Sequence, residues 1–362
     1  MSTSSSRRST LLAPAMALLV LLAPALGRQG AAGATEVQLI KLASLIPSGS
    51  FWDRAIRTMG AEWREATSGR VQLRVYPGGV AGDDSDVLRK MRIGQLQAAT
   101  VTVSGLSDID PAFALFEIPM FFDSYEELFH VLEAMGPDLE ARLRAKGYIL
   151  VHWAQAGWIY FFTTEPVETF DELQALEVFQ WAGESRMEQL WRKHGFRPVP
   201  LAGTDIVMGL QTGMFKALPS TPIAALSLQW FRSAPNMIDL GLAPLVGATL
   251  LDERAWEKLS PEDQVKVLAA GRAVGELFRD EIPRLDADAI REMQQRGLRV
   301  LKVTGTPREK AWTDAALAFA EDMREAFVPA EVFDQAVEIR DAYRRSVGRA
   351  VKGTDTSLGA NE

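Results

Sequence analysis

Predicted strands and helices alternate along the chain from residue 37 onward. Residues 37–43 form an apolar run that predicts a buried strand, and residues 51–67 carry apolar side chains at helical spacing. The alternating pattern of residues 71–75 predicts a second strand. A helix at residues 85–93 then precedes a third strand at residues 97–103. This βαβαβ order predicts an α/β fold with a mostly parallel sheet and right-handed crossovers.

The middle of the chain continues this pattern, and its end is mostly helical. Residues 148–155 and 158–164 are rich in aromatic and β-branched side chains, so we expect two strands there. A helix that starts at Pro261 and runs to about Arg296 is predicted to bend at Pro283. One more strand, at residues 298–303, and two terminal helices should follow.

Residues 147–185 contain no lysine or arginine. The same 39 residues include six acidic residues and nine aromatic ones. The aromatic residues are Tyr148, Trp153, Trp158, Tyr160, Phe161, Phe162, Phe170, Phe179 and Trp181. Such a segment is poorly suited to hold an anion and well suited to line an apolar ligand.

The first 34 residues are predicted to be an export signal. Arg7 and Arg8 precede an apolar run, residues 11–26, that is too short and too interrupted by proline to span a bilayer. The small residues at 32–34 place the cleavage site near Ala34. Either an ordinary secretory signal or a twin-arginine signal fits this pattern. We therefore expect a periplasmic protein with no stable membrane insertion.

The composition excludes several classes of partner. Cleavage would remove three arginines and no acid, which takes the formal net charge from −8 to −11 and disfavours nucleic acid as a partner. Because the chain contains no cysteine, it has neither disulfides nor thiol chemistry. The remaining length is sufficient for two domains.

Motifs of catalysis and cofactor binding are absent from the sequence. The histidines, His130, His152 and His194, lie too far apart for a metal-ligand spacing, and His152 is either a core residue or one that faces a cleft. No nucleophile elbow, dinucleotide fingerprint or phosphate-binding lysine loop is present. Asp83 or Asp84 is interpreted as the cap of the helix at residues 85–93. We therefore expect a binding protein that is not an enzyme, with no cofactor and no metal.

Several segments together carry a resemblance to a known family. They are LASLIPSGSFW (42–52), EATSGRV (65–71), PGGVAGDD (77–84), RIGQLQ (92–97), FEIPMFF (116–122) and WEKLSPEDQ (256–264). In this order and spacing, the chain resembles the substrate-binding subunit of tripartite ATP-independent periplasmic (TRAP) transporters, the DctP-like family.

The resemblance implies a two-lobed periplasmic-binding-protein fold with mixed sheets, one long helix spanning both lobes and a ligand cleft between them. Lobe I would comprise residues 35–154 and 243–282, and lobe II residues 155–242 and 283–353. Residues 354–362 are expected to be a disordered tail. The implied function is delivery of a small organic ligand to membrane permease subunits.

The chain departs from this family at the residue that usually binds a carboxylate. The matching run, residues 171–179, ends on Phe179 where the resemblance implies an arginine. A guanidinium can hold a carboxylate through two hydrogen bonds, and phenylalanine cannot. Lys216 either supplies a substitute charge or is a solvated surface lysine.

We therefore expect an apolar or amphipathic ligand, such as a hydrophobic monocarboxylate. The alternatives are a C4-dicarboxylate or other organic acid, and a ligand-free module that docks a partner protein. The predicted aromatic wall is Trp153, Trp158, Phe179, Trp181, Trp230 and Phe231. The predicted hydrogen-bonding residues are Ser50, Ser104, Gln155, Gln180, Ser220 and Thr221.

Overall fold

The structure is a computed structural model that describes residues 37–349. The predicted export signal and the predicted tail lie outside the described residues. The strands are β1 (Gln38–Ser44), β2 (Val71–Tyr76), β3 (Ala98–Thr102), β4 (Tyr148–Thr163), β5 (Glu177–Trp181), β6 (Arg197–Leu201), β7 (Ala217–Ser220), β8 (Asn236–Ile238), β9 (Ala243–Asp252) and β10 (Arg299–Leu301).

Helices connect and cover these strands. They are α1 (Phe51–Ala66), α2 (Asp84–Arg92), α3 (Val103–Ile109), α4 (Tyr125–Ala145), α5 (Phe170–Gln174), α6 (Ser185–Lys193), α7 (Ile206–Thr212), α8 (Pro222–Ser227), α9 (Glu253–Trp256), α10 (Pro261–Gln295), α11 (Glu309–Met323) and α12 (Ala330–Ser346). Three 3₁₀ segments are Pro111–Glu117, Gly203–Asp205 and Trp230–Arg232. No helix among residues 37–349 is long and apolar enough to cross a membrane.

The strand directions define two opposed halves of the sheet. Its order is β2-β1-β3-β9-β4-β7-β5-β6. β1 pairs in parallel with β2 and β3, whereas β9 is antiparallel to both β3 and β4. β7 is antiparallel to β4 and parallel to β5, which is parallel to β6. The carboxyl ends of β1–β3 in lobe I therefore point towards the carboxyl ends of β5–β7 in lobe II.

The predicted βαβαβ start is confirmed by β1, α1, β2, α2 and β3. Asp83 caps α2, as expected, because its side chain accepts a hydrogen bond from the backbone N–H of Asp86 at 2.9 Å. The two strands predicted at residues 148–164 are wrong in number, since β4 is one strand of 16 residues. Its pairing with β9 continues past a register shift between Gln155 and Trp158.

β9 was not predicted from the sequence. Nine of its ten residues are buried, so it lacks the alternation that marks a half-exposed strand. The sequence predicts a proline-rich turn at residues 219–222, entered from residues 214–218. The structure instead continues as β7, where Pro219 lies opposite Phe161 of β4. Tertiary pairing overrides the local turn signal there.

The predicted long helix is confirmed as α10, which contacts α1 and β4 as well as α8 of lobe II. Gly271 allows this helix to lie close to β4, because a Cβ at that position would stand 2.5 Å from the backbone oxygen of Val151. In lobe I the indole of Trp63 is fully buried and its Nε1 donates to the backbone oxygen of Val267 at 3.1 Å. These contacts anchor α10 to the core.

Candidate functional site

The candidate site is the cleft between the two sets of parallel strands. Ligands of α/β proteins bind beyond the carboxyl ends of strands, where loops and helix starts converge. Here Ser104, in the segment that follows β3, hydrogen-bonds Glu184, in the segment that follows β5. The cleft therefore combines side chains from both lobes.

Two predicted site residues, Gln180 and Ser104, and the unpredicted Glu184 meet at the end of β5. The side-chain amide of Gln180 donates to Oε2 of Glu184 at 2.5 Å. Ser104, near the start of α3 in lobe I, also hydrogen-bonds the Glu184 side chain. This cluster joins the two lobes across the cleft.

The cleft is acidic. Burial, together with repulsion from the nearby charges of Glu184 and Asp108, raises the pKa of Glu117 to about 8. Burial likewise raises the pKa of Glu184 to about 7, with Asp84 and Asp108 contributing repulsion. The upward contributions to both shifts come from burial and from other acidic side chains. The lobes therefore bring carboxyl groups together.

Asp84 belongs to this acidic group and is held by β3. Its Oδ2 accepts hydrogen bonds from the backbone N–H of Thr102 at 3.0 Å and from the Thr102 hydroxyl at 2.6 Å. Burial nevertheless raises the pKa of Asp84. Among residues 37–349, no group of acidic or histidine side chains has the arrangement of a metal site.

Phe179 and Trp181 lie on one face of β5, as the alternation predicted, with ring centroids 5.2 Å apart. Only Trp181 reaches solvent. Phe179 is 2% exposed and packs against Phe215 at 5.5 Å. Trp181 covers Gly203, where an added Cβ would lie 2.6 Å from its ring. The position where the resemblance implies an arginine is therefore in the hydrophobic core of lobe II.

The other predicted aromatic residues lie away from this cluster. Trp153 packs against Phe113 with ring centroids 6.1 Å apart, and it lines a separate groove of about 410 Å³ between α4 and α10. Trp158 is buried with Tyr125 edge-to-face at 5.3 Å. Trp230 and Phe231 pack in the core of lobe II. The structure does not gather all the predicted aromatics into one wall.

Three predicted hydroxyl residues hold backbone groups in place. Ser50 caps α1 and Thr221 caps α8, each accepting a backbone N–H at 3.3 Å. The Ser220 hydroxyl donates to the backbone oxygen of Thr221 at 3.3 Å. Ser220 and Thr221 are both buried at the carboxyl end of β7.

Gln155 is buried where β4 crosses between the lobes. Its backbone oxygen accepts a hydrogen bond from Nε1 of Trp52 at 2.8 Å, and its side-chain Oε1 has no hydrogen-bond partner among the described residues. His152, on the same strand, packs its ring against Phe278 at 5.6 Å. Burial lowers the pKa of His152 to about 4, so it is a neutral core residue at physiological pH.

Lys216 lies on the surface. Its Nζ is 3.3 Å from Oε1 of Glu165, and both side chains are about half exposed. This placement matches a solvated lysine rather than a substitute for the missing arginine.

Sequence reasoning missed Glu117 and Glu184. Glu117 ends the 3₁₀ segment before Ile118, within one of the segments that carry the family resemblance. Glu184 is among the acids of the segment without basic residues. The absence of basic partners was visible in the sequence, but the meeting of these two side chains was not.

A family model for bacterial extracellular solute-binding proteins, family 7 (DctP), matches residues 42–326. A solute-binding protein of Chromohalobacter salexigens is 26% identical over 220 residues, which cover 60% of this chain and 65% of the relative. A solute-binding protein of Roseobacter denitrificans is 24% identical over 305 residues, covering 81% and 90%.

A solved structure has the same fold. It is a TRAP periplasmic solute-binding protein from Sulfitobacter sp. NAS-14.1 with bound β-D-galacturonate, with a TM-score of 0.76 and 18% identity. The match covers 84% of this chain and 99% of that one. The two-lobed architecture is thereby confirmed. Because the family consists of solute receptors, the expectation that the chain is not an enzyme is confirmed as well. The chain belongs to family 7 of the bacterial extracellular solute-binding proteins, the DctP family.

Proposed function

We propose that this protein is the periplasmic solute receptor of a TRAP transporter. It would be exported by residues 1–34, capture a small organic solute between its lobes and deliver it to membrane permease subunits. The lobes are assigned as residues 35–154 with 243–282, and residues 155–242 with 283–353. Family membership and the opposed strand ends of the two lobes support this function.

We infer that the solute is apolar or amphipathic and is not held by a guanidinium. The observation that carries this inference is the burial of Phe179 against Phe215 in the lobe II core. No carboxylate clamp can form from that position. An apolar solute that loses about 300 Å² of surface to water-free contacts gains about 7 kcal/mol before the costs of association.

The polar part of the solute is expected to face the cluster of Glu117, Glu184, Ser104 and Gln180. A hydroxyl or an ammonium group suits these side chains, because a protonated carboxyl group donates and accepts hydrogen bonds and an ionised one attracts a cation. A carboxylate would meet repulsion there or bind only with a proton. The cleft therefore favours an amphipathic alcohol or amine over a hydrophobic monocarboxylate or a C4-dicarboxylate.

The second candidate solute is an acidic sugar. It is favoured by the galacturonate bound to the Sulfitobacter protein. Its hydroxyl groups would suit Ser104 and Gln180. Its carboxylate would have to find a donor other than a residue at position 179.

A thermal-shift panel of size-matched solutes tests this proposal. Amphipathic amines and alcohols, their carboxylate analogues, D-galacturonate and succinate would each be added to the protein. We expect the largest stabilisation from the amine or alcohol series, and its loss in Trp181→Ala. Stabilisation by galacturonate or succinate alone would refute the apolar solute and support an acidic one.

Mass spectrometry of small molecules released from protein purified from its native host gives an independent identification. We expect a bound molecule with an apolar body. An empty cleft, with no solute in the panel that stabilises the protein, would instead support the partner-docking alternative.

A further inference from the structure

One buried carboxyl group joins three elements near the crossing between the lobes. Asp286 of α10 is 5% exposed. Its Oδ2 accepts the backbone N–H of Trp158 at 2.7 Å and the hydroxyl of Tyr125 at 2.9 Å. The backbone N–H of Ile223, at the start of α8, also favours its ionised form. Asp286 thus connects α10 to β4 and α4 by hydrogen bonds, close to the contact of α10 with α8.

The contact falls where β4 passes from one lobe to the other. The register of β4 against β9 shifts between Gln155 and Trp158, and from Tyr160 onward β4 pairs with β7. Gly157, inside this irregular stretch, has φ +105°. A Cβ there would lie 2.6 Å from Oδ1 of Asp286. The backbone of the crossing is therefore shaped around this carboxyl group.

The partners of Asp286 come from both lobes. Tyr125 begins α4 in lobe I, whereas Trp158 belongs to the part of β4 assigned to lobe II. The ring of Trp158 packs edge-to-face on Tyr125 and covers Gly241, where an added Cβ would lie 2.4 Å from its Nε1. Hinge motion between domains concentrates dihedral changes in a few residues. Rotation of the lobes about residues 156–158 would have to change these hydrogen bonds.

We propose that Asp286 is a positioning residue that sets the angle between the lobes by holding Trp158 and the Gly157 turn of β4 against α4 and α10. This role rests on solute capture by lobe closure, as proposed above, but it operates in the solute-free protein. Loss of the carboxylate leaves the backbone at the crossing free to rotate, so the lobes sample a wider range of angles.

Stability alone does not account for this residue. Burial raises the pKa of Asp286 to about 7, so its ionised form is disfavoured by the fold. An amide of the same size removes the buried charge and leaves only weaker, neutral hydrogen bonds to the Trp158 and Tyr125 donors. Asp286→Asn therefore separates the two roles: a positioning residue loses control of the lobe angle, whereas a purely structural one does not.

Because the chain contains no cysteine, spin labels attach only at introduced cysteines, and the distance between the lobes can be measured directly. Val80 follows β2 in lobe I and is 75% exposed, and Met208 lies on α7 in lobe II and is 54% exposed. Spin labels on Val80→Cys and Met208→Cys report the distance across the cleft by double electron–electron resonance, without solute. A second pair of spin labels, at Ile93 and Val265 within lobe I, is the control, because its distance should not depend on the angle between the lobes.

The label pair would be compared in the parent protein, Asp286→Asn, Tyr125→Phe and Asp280→Asn. Asp280→Asn is the matched control, because Asp280 is an exposed aspartate on the same helix. We expect Asp286→Asn to change the ratio of open to closed populations by about tenfold, the effect of a hydrogen bond to a charged group. Tyr125→Phe should give a smaller change in the same direction, and the control none.

Unchanged cross-cleft distributions in both Asp286→Asn and Tyr125→Phe would overturn the proposal. If Asp286→Asn does not fold, Tyr125→Phe, which keeps the packed ring, decides the outcome alone. Because no solute is used, a negative result leaves the proposed solute-binding function untouched, and failure of the solute panel leaves this result standing.

Discussion

The side-chain amide of Gln180 donates a hydrogen bond to Glu184 at 2.5 Å, which ties the end of β5 to the start of α6. Both residues belong to lobe II, and the contact occupies a side-chain N–H of Gln180. The Glu184 carboxyl group then faces Ser104 and the acids of lobe I. The end of β5 is therefore rich in hydrogen-bond acceptors, in contrast to the basic end that the family resemblance implies.

The acidic cleft should make stability depend on pH. The pKa of Glu117 is raised from 4.5 to about 8, and that of Glu184 from 4.5 to about 7. Between about pH 4.5 and about pH 8 the folded protein therefore binds more protons than the unfolded chain. The free energy of unfolding should fall as the pH rises from about 4.5 to about 8. Urea unfolding of Glu117→Gln at pH 5 to 8 should show a flatter decline. Glu62→Gln, on the exposed face of α1, should keep the parent slope; equal slopes for both variants would contradict the prediction.

The two aromatic residues of β5 should differ in their effects. Phe179→Ala empties a core position and should cost about 3–5 kcal/mol in the free energy of unfolding. Trp181→Ala removes a half-exposed ring and should cost much less, but it should weaken binding of the solute identified in the panel. Phe179→Arg would bury an unpaired charge, so we expect it to destabilise the protein without creating affinity for galacturonate. A folded Phe179→Arg protein that binds galacturonate would disprove this assignment.

The buried pair of Arg344 and Glu127 should be far more sensitive to substitution than an exposed ion pair. Both side chains are buried, and the guanidinium contacts the two carboxylate oxygens at 2.7 and 2.9 Å. Arg344→Met leaves Glu127 as an uncompensated buried charge and should cost about 3–5 kcal/mol in chemical denaturation.

Arg324→Met is the matched control for that variant. Arg324 forms an exposed pair with Asp334 at 2.7 Å, which should contribute at most about 1 kcal/mol. Partial recovery of stability in the double variant Arg344→Met with Glu127→Met would identify the unpaired charge as the cause. Equal losses in the two single variants would argue against it.

Two helical glycines should respond in opposite directions to the same substitution. Gly271→Ala places a Cβ 2.5 Å from the backbone oxygen of Val151, so α10 must move away from β4 and stability should fall. Gly136 of α4 has no heavy atom within 4 Å of its added Cβ, and Gly136→Ala should raise stability by about 0.5–1 kcal/mol. Thermal unfolding of both variants checks this, and a stabilised Gly271→Ala would show that the close approach is not required.

Local patterns were sufficient for much of the fold. The helical spacing of apolar residues in α1 and the proline at the start of α10 were readable directly. They are properties of one element, set by the periodicity of its own side chains. The two strands predicted around Gly157 failed because a glycine with positive φ can continue a strand as an irregularity as well as end it.

The sequence alone determined the class of fold, the family resemblance, the lack of basic residues around β5 and the loss of an arginine at Phe179. Only the tertiary structure decided that Phe179 is buried while Trp181 is exposed, and that Glu117 meets Glu184. It also decided that Asp286 holds Trp158, 128 positions away. The physical reason is that side-chain periodicity assigns each residue to a face of its own strand or helix. The strand order and the crossing of β4 between lobes then determine which faces meet and which remain open to a solute.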